Sequence, residues 1–368
     1  MRIVFDARLH FPVVSGMSRY IVNLLTHLLE IDSKNEYIVL VNGKLLPNDE
    51  IFNLQKFDNL RFKTIHLPHM GLVNYTLMPR IIRKLKPDLY HYPMLDAPIA
   101  RGVKTIATVH DANVVGSIKK YDDRFGIKTL YFKKALAHTL RKATSVIFIS
   151  KASRTEILGT HHLTENTTFR LIYNGFDATF GDIQTETIQE VRAKFKLEKP
   201  FFLYVGQIRE HKNVLRMVEA FLKTDSEWEF VIAGNNYMNI DFTTYPSRVR
   251  YISMVSDNEL KALYYHSNAF IFPSFIEGFG FPILESLAFG KPIIGTQTGA
   301  IAEISGPFLI GVNPFDVNDI ALKMRNFQAG NYPPLDIVQT REYLEQFSWK
   351  KCATEVLALY KQVHATEK

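Results

Sequence analysis

Along the 368-residue chain, short runs of β-branched and aromatic residues alternate with longer stretches whose apolar residues recur at helical spacing. In the first half, RIVF, YIVLV, LRFKTI, DLYHY, KTIATV, SVIFIS and FRLIY read as strands. Residues 18–30, 75–85, 125–141 and 151–158 read as helices between them. In the second half, FFLYVG, EFVIAG, RVRYIS, AFIFPS and KPIIG read as strands, with helices over 213–223, 257–265 and 282–289. Strands that alternate with helices predict parallel α/β sheets covered on both faces. Residues 177–199 break this rhythm. They are polar, end in a proline before a new strand, and read as a domain linker. Residues 349–363 carry Cys352, Val356, Leu357, Leu359 and Tyr360 at helical spacing and read as a terminal helix.

Composition narrows the picture. The length suits two domains, and 46% hydrophobic against 22% charged residues suits large cores rather than disorder. No apolar run approaches the roughly 18 residues of a membrane span. The start, MRIVFDARL, reads as a first strand and not as a signal peptide. One cysteine, Cys352, excludes an intramolecular disulfide and is compatible with a reducing compartment. The charge of +7 is uneven. Residues 1–180 hold 25 Lys and Arg against 15 Asp and Glu, whereas residues 181–368 hold 19 against 22. Basic clusters occur at Arg80, Arg83, Lys84 and Lys86, and at Lys119, Lys120, Lys133, Lys134, Arg141 and Lys142. They read either as solvated helix faces or as attraction to an anionic partner, a phospholipid surface or a phosphate-bearing acceptor. No basic–aromatic interleaving or motif points to nucleic acid.

In open α/β sheets ligands gather at the carboxyl ends of the strands, so the loops there are where chemistry is sought. After the strand AFIF comes the loop SFIEGFG, and Pro282 suits the first turn of the helix that follows. Gly278 and Gly280, on either side of Phe279, allow close backbone approach to a ligand, and a helix start offers N–H groups to an anion. Glu277 can accept hydrogen bonds from sugar hydroxyls. Glu285, placed in the first turn of that helix, can do so from a ribose or can simply complement the helix dipole. In the other loop, Gly206 ends a strand, and Arg209, His211 and Lys212 follow just before a helix. Cations there would stabilise charge developing on a diphosphate. His110 and Asp111 follow the strand KTIATV. The sequence contains no D-x-D, no Cys/His metal-ligand spacing and no complete G-x-G-x-x-G, the third glycine position being Ile283.

The segment PSFIEGFGFPILESLAFGKPIIG resembles the donor-site signature of family 4 of the retaining glycosyltransferases, with Glu277 and Glu285 matching that family's E-x7-E pair. DARLHFPVVSGMSRYIVNLL resembles the family's first strand, glycine loop and helix; TVHDAN its histidine loop; FISKASRTEI and IYNGFD the segments before the linker. YVGQIREHKNVLRMVEAF resembles its phosphate loop, and FSWKKCATEVLALY its terminal helix. The likeness implies the GT-B fold, two facing Rossmann-like domains with parallel sheets and an interdomain cleft. The expected domains are an acceptor-side domain over 1–180, a donor-binding domain over 181–347 and a terminal helix over 348–368 that packs back onto the first domain. It implies a donor ribose at Glu285, the diphosphate at Arg209, Lys212, Gly16 and the Gly278–Phe279–Gly280 backbone, and His110 with Glu277 as catalytic residues at the transferred sugar. Asp111 would orient the histidine loop. Glu303 matches a further family glutamate and reads equally as a capping or surface residue. Two departures stand out: Gln207 where many relatives carry Arg, and Ser15-Gly16 where many have Gly-Gly.

The expectation is a metal-independent, cofactor-free hexosyltransferase with an oxocarbenium-like transition state. It would move a hexose from a nucleotide diphosphate sugar to a sugar or lipid-linked glycan acceptor in surface polysaccharide assembly. The REHKN loop favours GDP-mannose, with UDP-glucose, UDP-galactose and UDP-N-acetylglucosamine left open. A cytoplasmic protein, peripheral on an anionic inner membrane face, fits the basic first half. The rivals are another GT-B enzyme, an epimerase or phosphorylase, and a catalytically silent sugar-nucleotide-binding protein.

Overall fold

The computed structural model describes residues 1–11, 16–110, 127–160 and 167–366. The chain divides into two compact units, Met1–Gly175 with Phe347–Lys368, and Phe176–Gln346. The first contains β1 (Arg2–Asp6), α1 (Gly16–Ile31), β2 (Glu36–Asn42), β3 (Leu60–Ile65), α2 (Leu72–Lys84), β4 (Leu89–Tyr92), β5 (Lys104–Val109), α3 (Ile127–Lys142), β6 (Ser145–Phe148), α4 (Lys151–Thr160) and β7 (Thr168–Leu171). Its strands form one parallel sheet in the order β3-β2-β1-β4-β5-β6-β7. The strand order reverses between β1 and β4, where Ile3 is in register with both Tyr37 and Leu89.

The second unit contains α5 (Thr185–Phe195), β8 (Phe201–Val205), α6 (Val214–Leu222), β9 (Glu229–Ala233), β10 (Val249–Ile252), α7 (Asp257–His266), β11 (Ala269–Phe272), α8 (Phe281–Ala288), β12 (Ile293–Thr296), α9 (Gly299–Ser305), β13 (Leu309–Val312), α10 (Val317–Gln328) and α11 (Ile337–Leu344). Its parallel sheet runs β10-β9-β8-β11-β12-β13, and the order reverses between β8 and β11. The strands β11 and β12 are buried along their whole length, and β8 and β9 at all but one end residue each, as both faces of the sheet are covered. The chain then returns to the first unit as α12 (Trp349–Ala365), which buries Cys352, Val356 and Tyr360 and packs on α1. Among the described residues, no helix is long and apolar enough to cross a membrane.

Several expectations need correction. The polar stretch over 177–199 is no linker: it holds α5, which buries only Val191 and belongs to the second unit. Its polarity reflects a helix that contributes one buried side chain, mostly against α7. The strand β13 at the sheet edge and the helices α9, α10 and α11 were not expected. The α10 signal was present in sequence: Asp316 caps the helix by accepting from the N–H groups of Asn318 and Asp319, and Ile320, Ala321 and Met324 line its buried side. Glu285 is the fifth residue of α8, one turn beyond the expected position. The start of the helix expected over 125–141 lies outside the described residues.

Candidate active site

The site in the second unit begins where β8 and β9 end. Gly206 and Gly234 both have positive φ, and a Cβ on Gly234 would lie 2.1 Å from the Gly206 carbonyl oxygen. Only glycine lets these two loops approach so closely. The chain then enters a short 3-10 turn over Glu210–Lys212 and reaches Asn213, which adopts the left-handed conformation at the start of α6. The buried Asn213 amide donates to the carbonyls of Pro273, at 3.0 Å, and Pro314, at 2.8 Å. It thereby ties the loop after β8 to the segments that follow β11 and β13. The Phe275 N–H donates to the His211 carbonyl at 2.9 Å and clamps the same loops a second time.

Clamped in this way, the two loops bring Lys212 and Glu277 together across 65 residues of sequence. The Lys212 ammonium donates to both carboxylate oxygens, at 2.7 and 2.8 Å. Their side chains are only 19% and 9% exposed. A pair so withdrawn from water depends on mutual contact, since either charge alone would be costly there. The pair sits at the carboxyl ends of β8 and β11, the neighbouring strands between which the order reverses. That switch point is where open α/β sheets hold ligands. His211 is half-buried, and burial, followed by the Lys212 charge, lowers its pKa.

Arg209 takes a different partner. Its Nε donates to the Gln207 side-chain oxygen at 2.9 Å, and its guanidinium lies 4.0 Å from the centre of the Tyr237 ring. Gln207, the residue that departs from the family pattern, is thus the anchor of this exposed arginine. Across the loop after β11, Gly280 has φ 98° and caps α8, while Phe279 is buried with its ring against Phe281. Gly278 lies half-buried in the turn before them. Glu285 is 2% exposed and accepts from the Tyr264 hydroxyl at 2.9 Å. Glu303 is half-buried on α9, and its backbone carbonyl lies 3.3 Å from the Tyr343 hydroxyl. Among the described residues, no hydrogen bond joins Glu285 or Glu303 directly to Lys212 or Glu277.

In the first unit, Gly16 is the exposed first residue of α1, and His110 follows β5. The His110 Nε2 is buried without a hydrogen-bond partner among the described residues, and its ring packs edge-to-face on Tyr20, centroids 4.4 Å apart. Burial lowers its pKa to about 3, so the imidazole is neutral at physiological pH. Asp111 lies outside the described residues, as do Lys119 and Lys120. Tyr20, Asn213, Tyr237 and Tyr264 were not singled out in the sequence. Each acts through a partner distant in the chain or through ring packing, neither of which leaves a local motif.

Two family models match the chain: Glycosyltransferase Family 4 over residues 14–180 and Glycosyl transferases group 1 over residues 186–339. Among curated relatives, the O-antigen chain mannosyltransferase B of Escherichia coli is 24% identical, covering 98% of this chain and all of the relative. The O-antigen chain mannosyltransferase RfbU of Salmonella typhimurium is 24% identical over 85% of this chain and 87% of its own length. Among solved structures, a sucrose-phosphate synthase from Thermosynechococcus elongatus matches with TM-score 0.75 at 18% identity, covering both chains fully. Anabaena HepE, solved in complex with UDP-glucose, matches with TM-score 0.73 at 16% identity over 98% of this chain and all of HepE.

Proposed function

We propose, for a chain that belongs to glycosyltransferase family 4 and has its GT-B fold, the transfer of mannose from GDP-mannose to an acceptor hydroxyl with retention of anomeric configuration. The chain is a hexosyltransferase of polysaccharide synthesis that uses a nucleotide sugar donor. Mannose is favoured because two relatives, covering 98% and 85% of this chain, are O-antigen mannosyltransferases. The observation that carries the mechanism is the Lys212–Glu277 pair at the β8/β11 switch point.

As the bond from the sugar C1 to the β-phosphate oxygen breaks, negative charge grows on the diphosphate. Lys212 and Arg209 are the cations of the loop that would meet it, joined by the backbone N–H groups of Gly16 and of the Gly278–Gly280 turn. These groups would carry the charge without a divalent metal, a reading that rests on the cationic loop and on a sequence without D-x-D. Glu277 keeps acceptor capacity beyond its two contacts with Lys212, since an ionised carboxylate offers about four lone-pair sites. That capacity suits hydroxyls of the transferred sugar. Glu285 is assigned the ribose, with Tyr264 fixing its rotamer. Neutral His110 offers hydrogen bonding to the donor sugar without adding charge. The acceptor oxygen bonds to C1 on the face that the diphosphate leaves, and its proton passes to the departing diphosphate oxygen.

We assign the acceptor, a sugar or lipid-linked glycan, to the first unit. There α2 exposes Leu72, Val73 and Leu77 on the same helix as Arg80, Arg83 and Lys84. Apolar and basic side chains on one helix suit the interface of an anionic membrane, which is consistent with a cytoplasmic enzyme held peripherally at its inner face.

The test is a thermal-shift panel of GDP-mannose, UDP-glucose, UDP-galactose and UDP-N-acetylglucosamine, with and without EDTA. GDP-mannose alone should raise Tm by several degrees, EDTA should change nothing, and the shift should vanish in Lys212→Ala and Glu285→Ala. A shift retained by both variants would sink the assigned site, and a shift with another donor would replace mannose.

A further inference from the structure

We propose that Tyr20 is the positioning residue of His110, holding the imidazole plane through a buried chain of side chains that begins on the last helix. The proposal rests on the reading that His110 works at the reaction centre.

The chain of contacts is as follows. The Tyr360 hydroxyl on α12 lies 2.6 Å from His91 Nδ1 on β4. His91 Nε2 lies 2.8 Å from the Thr108 hydroxyl on β5, and that hydroxyl lies 3.0 Å from the hydroxyl of Tyr20 on α1. The Tyr20 ring then meets the His110 ring edge-to-face, with an interplanar angle of 77°. All five residues belong to one unit, although they come from two helices, two strands and the loop that follows β5.

Proton accounting fixes the direction at its far end. Among the described residues, the Tyr360 hydroxyl pairs only with His91, so it must donate to Nδ1 or leave its proton buried and unmade. Neutral His91 then carries its proton on Nε2 and donates to Thr108. Thr108 in turn shares its hydroxyl with Tyr20, so every ring nitrogen and hydroxyl between α12 and Tyr20 is engaged.

His110 has no such anchor at its Nε2 among the described residues. Its Nε2 is buried with no partner among the described residues, so no hydrogen bond at that atom fixes the ring. The Tyr20 ring is what the structure places against it instead. Behind Tyr20 stands Trp349, the first residue of α12, with ring centroids 6.3 Å apart. The last helix therefore backs Tyr20 in two ways, by direct packing from Trp349 and by the hydrogen-bonded path from Tyr360. Ring packing sets the plane of the imidazole without using Nε2 in a hydrogen bond. A hydrogen bond at Nε2 would have used that nitrogen. Because a displacement of about 1 Å at a reacting centre costs about a hundredfold in rate, a residue that only orients His110 should act on turnover and hardly on donor binding.

The experiment compares Tyr20→Phe, which keeps the ring and cuts the tie to Thr108, with Tyr20→Leu, which removes the aromatic ring. Each is measured in the native and the His110→Ala backgrounds. Transfer kinetics give kcat and donor KM, and 15N-detected NMR of the histidine side chains reports the His110 ring. Tyr20→Leu should lower kcat about a hundredfold and Tyr20→Phe about tenfold, both with donor KM within about twofold of native. Both should shift the His110 ring signals, and neither should lower kcat further in the His110→Ala background. If His110→Ala is impaired while the Tyr20 variants keep native kcat, or if their losses add to that of His110→Ala, the positioning role falls and the His110 reading stands. If His110→Ala keeps native kcat, the His110 reading itself falls and takes the proposal with it. Should Tyr20→Leu fail to fold, Tyr20→Phe decides: unchanged kcat and unchanged His110 signals would overturn the proposal.

Discussion

Asp96 shows how a single side chain takes its state from its surroundings. It is fully buried beyond the end of β4, and burial pushes its carboxyl up to about 7. The hydrogen bonds agree with a protonated acid. The Tyr92 hydroxyl donates to the His69 carbonyl at 2.6 Å, so at 3.2 Å from Asp96 Oδ1 it acts as acceptor. The Tyr131 hydroxyl accepts from the Gly71 N–H and donates to Asp96 Oδ2 at 3.0 Å. The folded carboxyl thus holds its proton in a range, from about 4 to about 7, where the unfolded chain has released it. Stability from this group is fully present below that range and is lost as pH rises through it. Asp96→Asn keeps both contacts, with the amide donating to Tyr92 and its oxygen accepting from Tyr131. Urea unfolding should find it close to native at pH 4.5 and on the order of 2–4 kcal/mol more stable than native at pH 8. An equal difference at both pH values would show that Asp96 is ionised in the fold. None of this was readable along the chain, because Tyr131 lies 35 residues away and only burial raises the pKa. Gly280 and Pro282, by contrast, were readable, because a positive φ and a helix start are local demands on the backbone.

At the scale of elements, the end of β1 is joined to its neighbours by one buried arginine. Arg8 donates to Asp6 at 2.8 and 2.7 Å, to Asn74 on α2 at 2.9 Å and to the Pro68 carbonyl at 3.1 Å. The Tyr90 hydroxyl on β4 donates to the same carboxylate at 2.6 Å. The strands on either side of the order reversal and the entry to α2 therefore share one ion pair. Arg8→Met would leave Asp6 charged, buried and short of its main partner, and chemical denaturation should record a loss of about 3–5 kcal/mol. Adding Asp6→Asn should restore part of that loss, and a single variant of native stability would show that the pair is dispensable. Helix and strand periods were legible for most of these elements, and LRFKTI and KTIATV match β3 and β5 residue for residue. Two of the elements that escaped bury a single residue each. The helix α5 buries one residue, and β13 is a four-residue edge strand buried only at Val312. A pattern argument needs a buried face, and these two present almost none.

For the whole molecule, charge is the property that sums. Residues 1–180 carry the basic excess, and α3 adds exposed Leu130 near Lys133 and Lys134 to the apolar and basic side chains of α2. Sedimentation with vesicles should show binding to phosphatidylglycerol-containing membranes and none to phosphatidylcholine alone. It should weaken as salt rises from about 0.05 to 0.5 M, because the Debye length shrinks to a few ångströms. Equal binding to both lipids would remove the electrostatic part of the peripheral assignment. The order of hydrophobic and polar residues by itself determined two parallel α/β halves, because the period of burial is written in local spacing. It also determined the candidate loops, because glycine, proline and cationic residues there state backbone and charge requirements within a few positions. Only the tertiary structure decided which loops meet. It set β8 beside β11 and so closed Lys212 onto Glu277, and it laid α12 across the first unit so that Tyr360 reaches His91. Those pairings depend on which strands are neighbours and on burial that turns a distant side chain into an obligatory partner. Neither is a property of any short stretch of sequence.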